Sequence, residues 1–225
     1  MKTCVFVTGR VKTWQKNLHH FKKQLENYDF EVYASLNSEL DNQDAIKLSE
    51  ESFITDVICQ PTVYPDWLKN YAINCMEHQK FNFFSQCFHR YLVFQESKKT
   101  KIYDQYIFTR MDIINESALP LVEFEKNTVY CPSSHMHGFK HSVIDNKRIY
   151  CEEKLELIND QILICDLEGA SSIASLYLDF VNMYIHDNIW WHPETMLHVH
   201  LEKRKINIQT FDFDYILDPE RNKPS

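Results

Sequence analysis

The chain has 225 residues, a formal net charge of −8, and 44% hydrophobic and 14% aromatic content, which suits one large packed domain or two small ones. The acidic balance argues against a nucleic-acid partner, which would need a basic face, and no run of eighteen apolar residues is present to span a membrane. Seven cysteines without Cys-x-x-Cys spacing argue against a disulfide framework and a zinc knuckle, and three glycines leave no Gly-rich phosphate loop.

The apolar run Cys4–Thr8 is too short for a signal-peptide core and is stopped by Gly9-Arg10, so it reads as the first buried strand of a cytoplasmic protein. Trp14, Leu18, Phe21 and Leu25 recur at helical steps and mark one helix face. Glu31–Leu36 reads as a second strand, followed by a polar stretch from Asn37 to Asp44. Asp56–Gln60 reads as a third, after which Pro61 and Pro65 break the chain. A long helix is expected from Asn74 to Ser97, with Phe81, Phe84, Phe88 and Leu92 on its buried face. A fourth strand, from Tyr103, ends in Arg110-Met111-Asp112.

Beyond it lie a short strand at Val129–Pro132, a polar, histidine-rich loop at His135–Arg148, and a strand at Gln161–Cys165. A helix is expected at Gly169–Ile185, and another opens at Trp190-Trp191-His192-Pro193-Glu194, with proline in its first turn. Ile206–Phe211 closes as a strand, and Asp218–Ser225 reads as a polar, frayed tail. Strands alternating with helices predict a single α/β domain with a mostly parallel sheet flanked by helices.

Ligands of such sheets bind beyond the carboxyl ends of the strands. Three polar groups fall at such ends: Thr8-Gly9-Arg10, Asn37, and Arg110-Met111-Asp112. Side chains alternate along a strand, so Arg110 and Asp112 point the same way. They form either a strand-end ion pair or a site for a diphosphate and its metal ion. On the long helix Gln79, Asn82, Gln86 and Arg90 make a polar stripe, either a solvated face or one wall of a nucleotide cleft. Asp160, just before a strand, and Glu194, in a helix's first turn, are the carboxylates placed to act as a general base or to bind sugar hydroxyls; as alternatives Asp160 is a turn or cap residue and Glu194 a helix-start acid that meets the macrodipole. His135, His137 and His141 lack acidic or cysteine companions and read as solvated histidines. His198 and His200 lie two apart on a helix and do not share a face, and Asp212-Phe213-Asp214 ranks below Asp112 as a metal site.

Taken in order, Val5-Phe6-Val7-Thr8-Gly9-Arg10 with Trp14, Glu31 through Asn37, Gln86-Arg90-Tyr91 on the long helix, Tyr103-Asp104 through Arg110-Met111-Asp112, Asn159-Asp160-Gln161, and His192-Pro193-Glu194 with Leu197 resemble a GT-A-like glycosyltransferase family of large DNA viruses and bacteria. Within it, the segments resemble the N-terminal glycosyltransferase domain of a chlorovirus multidomain enzyme. The resemblance implies a domain over residues 1–217, with a nucleotide-sugar half (1–115), an acceptor half (116–217) and a tail at 218–225. It implies transfer of a sugar from a nucleoside diphosphate sugar, foremost a uridine diphosphate sugar, to a hydroxyl of a glycan acceptor. Thr8, Gly9, Arg10, Asn37, Gln86, Arg90, Arg110 and Asp112 would hold the donor.

Arg110-Met111-Asp112 stands where the family carries Asp-x-Asp, leaving Asp112 as the carboxylate ligand for Mn2+ or Mg2+ and Arg110 or Arg10 to meet the leaving diphosphate. Asp160 is the first choice for the base and Glu194 the second. A non-catalytic sugar-binding module of the same fold and a sugar nucleotidyltransferase are the alternatives.

Overall fold

A computed structural model describes residues 1–9, 11–70, 77–133, 138–144, 147–155, 158–187, 189 and 191–222. In chain order the first half holds β1 (Lys2–Thr8), α1 (Trp14–Gln24), β2 (Asp29–Asn37), α2 (Ser38–Ser49), β3 (Ile54–Gln60), α3 (Asp66–Asn70), α4 (Glu77–Thr100), β4 (Gln105–Thr109) and β5 (Ile113–Ile114). The second half holds β6 (Thr128–Pro132), β7 (Gly138–Ile144), β8 (Lys147–Leu155), β9 (Leu163–Cys165), α5 (Leu167–Val181), α6 (Pro193–Lys203), β10 (Asn207–Phe211) and β11 (Ile216–Leu217).

Strand β1 is buried on both faces because its side chains alternate between two apolar layers. Cys4 and Phe6 enter one core with Phe84, Phe94, Tyr106 and Phe180; Val5 and Val7 enter the other with Trp14, Phe21, Val32 and Ile107. Helices therefore cover both sides of a seven-stranded sheet of order β10-β6-β9-β4-β1-β2-β3. The pairs β1–β2, β1–β4, β2–β3 and β6–β10 are parallel, and β9 runs antiparallel to both β4 and β6. The expected α/β architecture with a mostly parallel sheet is what forms. Among the described residues no helix is long and apolar enough to cross a membrane.

Local elements depart from expectation in four places. The polar stretch after β2 is the helix α2: the Asn37 side chain caps it by accepting from the Glu39 amide at 3.0 Å. Its apolar face is only Ala45 and Leu48, too narrow to show as periodicity. The histidine-rich loop is largely a hairpin of β7 and β8; His135, His137 and the side chain of His141 lie outside the described residues.

The long helix is described from Glu77, without its expected start at Asn74, and runs on to Thr100. Its buried face includes Phe83, Cys87 and Phe94 beside Phe84 and Phe88, while Phe81 and Leu92 are only partly buried. The tail is pinned at its start. Asp218 is fully buried and accepts from Asn17 Nδ2 at 2.8 Å and from the Glu220 amide at 2.9 Å.

Candidate functional site

Parallel strands β1, β2, β3 and β4 all end at one edge of the sheet, and a cavity of about 500 Å³ opens there. Gly9, Asn37 and Arg110 follow or close three of those strands and line it. Strand β9 runs the other way, with Leu163 beside Phe108, so the segment just before β9 comes to the same edge and brings Gln161 to the wall. Asn82, Phe83, Ser85, Gln86 and His89 of α4, Leu40 and Asp41 of α2, and Trp191, His192, Pro193 and Glu194 at the start of α6 complete the lining.

Gly9 adopts φ +100°, a conformation that an L side chain rarely takes. A Cβ there would lie 3.9 Å from Arg110 Nη1, an ordinary contact, so the backbone conformation, more than space, selects glycine. Arg110 Nε donates to Asp112 Oδ1 at 2.7 Å and Nη2 donates to Oδ2 at 2.6 Å. The two side chains do point the same way, and the strand-end ion pair is formed. Asp112 is 1% exposed, whereas the Arg110 side chain is 18% exposed and borders the cavity. Burial alone would lower the Arg110 pKa, but the adjacent Asp112 carboxylate more than offsets this and raises it.

Asp160 is 2% exposed, and its carboxylate is held on both oxygens. Gln86 Nε2 donates to Oδ2 at 3.1 Å and Gln161 Nε2 to Oδ1 at 2.5 Å. Arg90 is equally buried; its Nη2 donates to the Asp160 backbone carbonyl and lies 3.6 Å from Oδ2. The α4 stripe is thus only in part a solvated face: Asn82 is exposed, Gln86 is half-buried and Arg90 is buried. It runs from the cavity, at Asn82 and Gln86, into the interior at Arg90, while the Gln79 side chain lies outside the described residues.

Glu194 reaches the cavity with its side chain 18% exposed. Burial, and then the charge of Asp160, push its pKa up to about 8. Glu194 Oε2 lies 3.2 Å from His192 Nδ1, whose pKa is pushed down by burial against the pull of Asp160. Both shifts favour a neutral pair, a carboxylic acid donating to an imidazole, over an ion pair. Trp191 packs edge-on against Phe83, 5.9 Å between ring centres, which fixes the aromatic wall.

The other wall is an uncharged network. His89 lies between Ser35 Oγ (2.9 Å from Nδ1) and Thr62 Oγ1 (3.2 Å from Nε2), and Thr62 meets Ser85 Oγ at 2.6 Å. Burial pushes the His89 pKa down to about 4, so the ring is neutral at physiological pH.

Of the residues expected to hold the donor or act as base, Gly9, Asn37, Gln86, Arg110 and Glu194 line the cavity. Thr8, Arg90, Asp112 and Asp160 are buried and are not part of that lining, and Arg10 lies outside the described residues. Of the two carboxylates, Glu194 reaches the cavity and Asp160 lies behind its lining. Asp41, Ser85 and His89 were missed. Asp41 follows the Asn37 cap by one turn, a signal hidden while Asn37 to Asp44 read only as a polar stretch. Ser85 and His89 sit among the phenylalanines of α4, where nothing in the sequence separates them from core.

The donor set does not fit a divalent cation as it stands. Asp112 has both oxygens engaged by Arg110, and among the described residues no group of three or more His, Cys, Asp or Glu side chains could hold a metal. His200 is likewise engaged: its Nε2 lies 2.8 Å from the Ser172 carbonyl oxygen, and burial pushes its pKa down to about 4. Asp212 accepts from Ser133 Oγ at 3.0 Å. The comparisons of this chain with protein-family models and with curated proteins give no match.

Proposed function

We propose that the chain is a glycosyltransferase, moving a sugar from a nucleoside diphosphate sugar, foremost a uridine diphosphate sugar, to a hydroxyl of a glycan acceptor. One observation carries this reading. A single cavity at the carboxyl ends of the parallel strands holds a guanidinium suited to a diphosphate, Arg110, and a carboxyl group suited to proton transfer, Glu194 beside Trp191. The lining amides of Asn37, Asn82, Gln86 and Gln161 offer both donors and acceptors, as sugar and nucleoside hydroxyls require. The order of motifs that resembles the glycosyltransferase family agrees with this site.

In the reaction the acceptor oxygen bonds to the anomeric carbon and the bond from that carbon to the diphosphate breaks. Negative charge grows on the departing diphosphate, where Arg110 offers fixed N–H donors. The acceptor proton passes to Glu194. Only the ionised carboxylate can take it, so the raised pKa makes turnover climb with pH up to and past about 8. Asp160 is a positioning residue: it keeps Glu194 basic through its charge, and Gln86, Gln161 and Arg90 hold it in place.

A non-catalytic sugar-binding module is the second reading, favoured by the closed Arg110–Asp112 pair. The test is a panel of nucleoside diphosphate sugars, scored by melting temperature and by donor hydrolysis or transfer. The proposed enzyme shows a stabilising shift and turnover with at least one donor, and Glu194→Gln loses turnover while keeping the shift. A shift without turnover selects the binding module, and no shift with any donor rejects both.

A further inference from the structure

We propose that Arg110, held rigid by Asp112, does the work of a divalent cation, so that the cavity binds a nucleoside diphosphate without metal. This rests on the glycosyl-transfer reading above and concerns how its donor is held.

A magnesium or manganese ion at a diphosphate takes carboxylate oxygens at close range. Here both Asp112 oxygens accept hydrogen bonds from Arg110, and the carboxylate is 1% exposed behind it. To bind an ion, Asp112 would have to release Arg110, leaving a mostly buried guanidinium next to a dication. Both the lost pair and the like-charge repulsion oppose that rearrangement.

The guanidinium has the complementary property. Of its five N–H donors the two bonds to Asp112 use one on Nε and one on Nη2. Among the described residues three are left unengaged, including both on Nη1, the nitrogen nearest Gly9 on the cavity wall. Among the described lining residues Arg110 is the one permanently charged cation. Asp112 sits on the buried side and Arg110 on the cavity side, so the positive end of the pair faces the ligand. A planar fork fixed on one edge meets phosphate oxygens without reorganising, which is the electrostatic service a bound metal renders.

The experiment is calorimetric titration of the full chain with uridine diphosphate and with guanosine diphosphate, first in EDTA and then in excess Mn2+. One of the two nucleotides is expected to bind in EDTA and to keep its affinity within about twofold when Mn2+ is added. Arg110→Met is expected to weaken it by about tenfold or more in both buffers, as the loss of charged hydrogen bonds predicts. Arg110→Lys keeps the charge but not the fork. It folds if burial tolerates it, is checked by circular dichroism, and is expected to recover only part of the affinity. Binding that requires Mn2+, or binding in EDTA that Arg110→Met and Arg110→Lys leave unchanged, overturns the inference while leaving the glycosyl-transfer reading intact. No binding of either nucleotide in either buffer brings down both.

Discussion

Asp112→Ala isolates the pair at the centre of the site. It removes a carboxylate that is 1% exposed and leaves a guanidinium whose side chain is 18% exposed, with two hydrogen bonds of 2.7 and 2.6 Å broken at once. Breaking a buried pair by deleting one partner costs about 3–5 kcal/mol, because the remaining charge stays desolvated. Arg110 borders the cavity and its Nη1 can recover some hydration, which places the loss near the low end, about 3 kcal/mol. For a chain of this size 1 kcal/mol moves the melting temperature by about 2–4 °C, so the variant should melt roughly 6–12 °C lower. Urea unfolding of Asp112→Ala and of the double variant Arg110→Met/Asp112→Leu gives the comparison. The double variant should regain most of the loss, since an apolar pair of similar volume carries no buried charge. A loss under about 1 kcal/mol for Asp112→Ala, or no recovery in the double variant, would show that Arg110 does not depend on Asp112 and would refute the reasoning.

Three further outcomes test other parts of the structure. Turnover with a nucleoside diphosphate sugar should rise along one ionisation near pH 8, and Glu194→Gln should flatten that limb and lower turnover by about 10²–10⁴; a rate independent of pH from 6 to 9 speaks against Glu194. His89 and His200 both have folded pKa values pushed down to about 4, so the unfolded chain takes up protons that the folded protein refuses. Stability is then complete above the unfolded pKa of about 6.5 and falls between there and about 4, a window in which His200→Asn should show a shallower slope than wild type by urea titration. Gly169→Ala would set a new Cβ 2.6 Å from Cys165 Cβ and 3.2 Å from Val129 Cγ2, and should cost roughly 1–3 kcal/mol by the same method. An unchanged midpoint would mean that α5 shifts freely on the sheet.

The sheet was legible because β1, β2 and β4 are buried on both faces and announce themselves as apolar runs. The place of the cavity was legible too, since polar residues that interrupt such runs at their carboxyl ends have few other uses. What lay hidden has two physical causes. One is weak local signal: α2 turns only Ala45 and Leu48 inward, and the β7–β8 hairpin mixes polar and apolar residues without strict alternation. The other is long-range pairing. Nothing in the order Asn159-Asp160-Gln161 says that Gln86, seventy-four residues earlier, will hold Asp160 away from solvent. Likewise, Arg110 and Asp112 signalled a shared direction, but whether they would bind each other or a ligand depended on how deeply Asp112 was buried.

The turn that carries Arg110 is fastened from far along the chain. Directly after it β5 pairs with β11, the Asp218 amide donates to the Asp112 carbonyl at 2.8 Å, and the Asp218 carboxylate is tied to Asn17 of α1. Residues 216–218 therefore act as a clasp, closing a loop of about a hundred residues around the guanidinium that borders the cavity. Whatever loosens that clasp, a substitution in α1 included, unlatches this corner of the cavity without touching it.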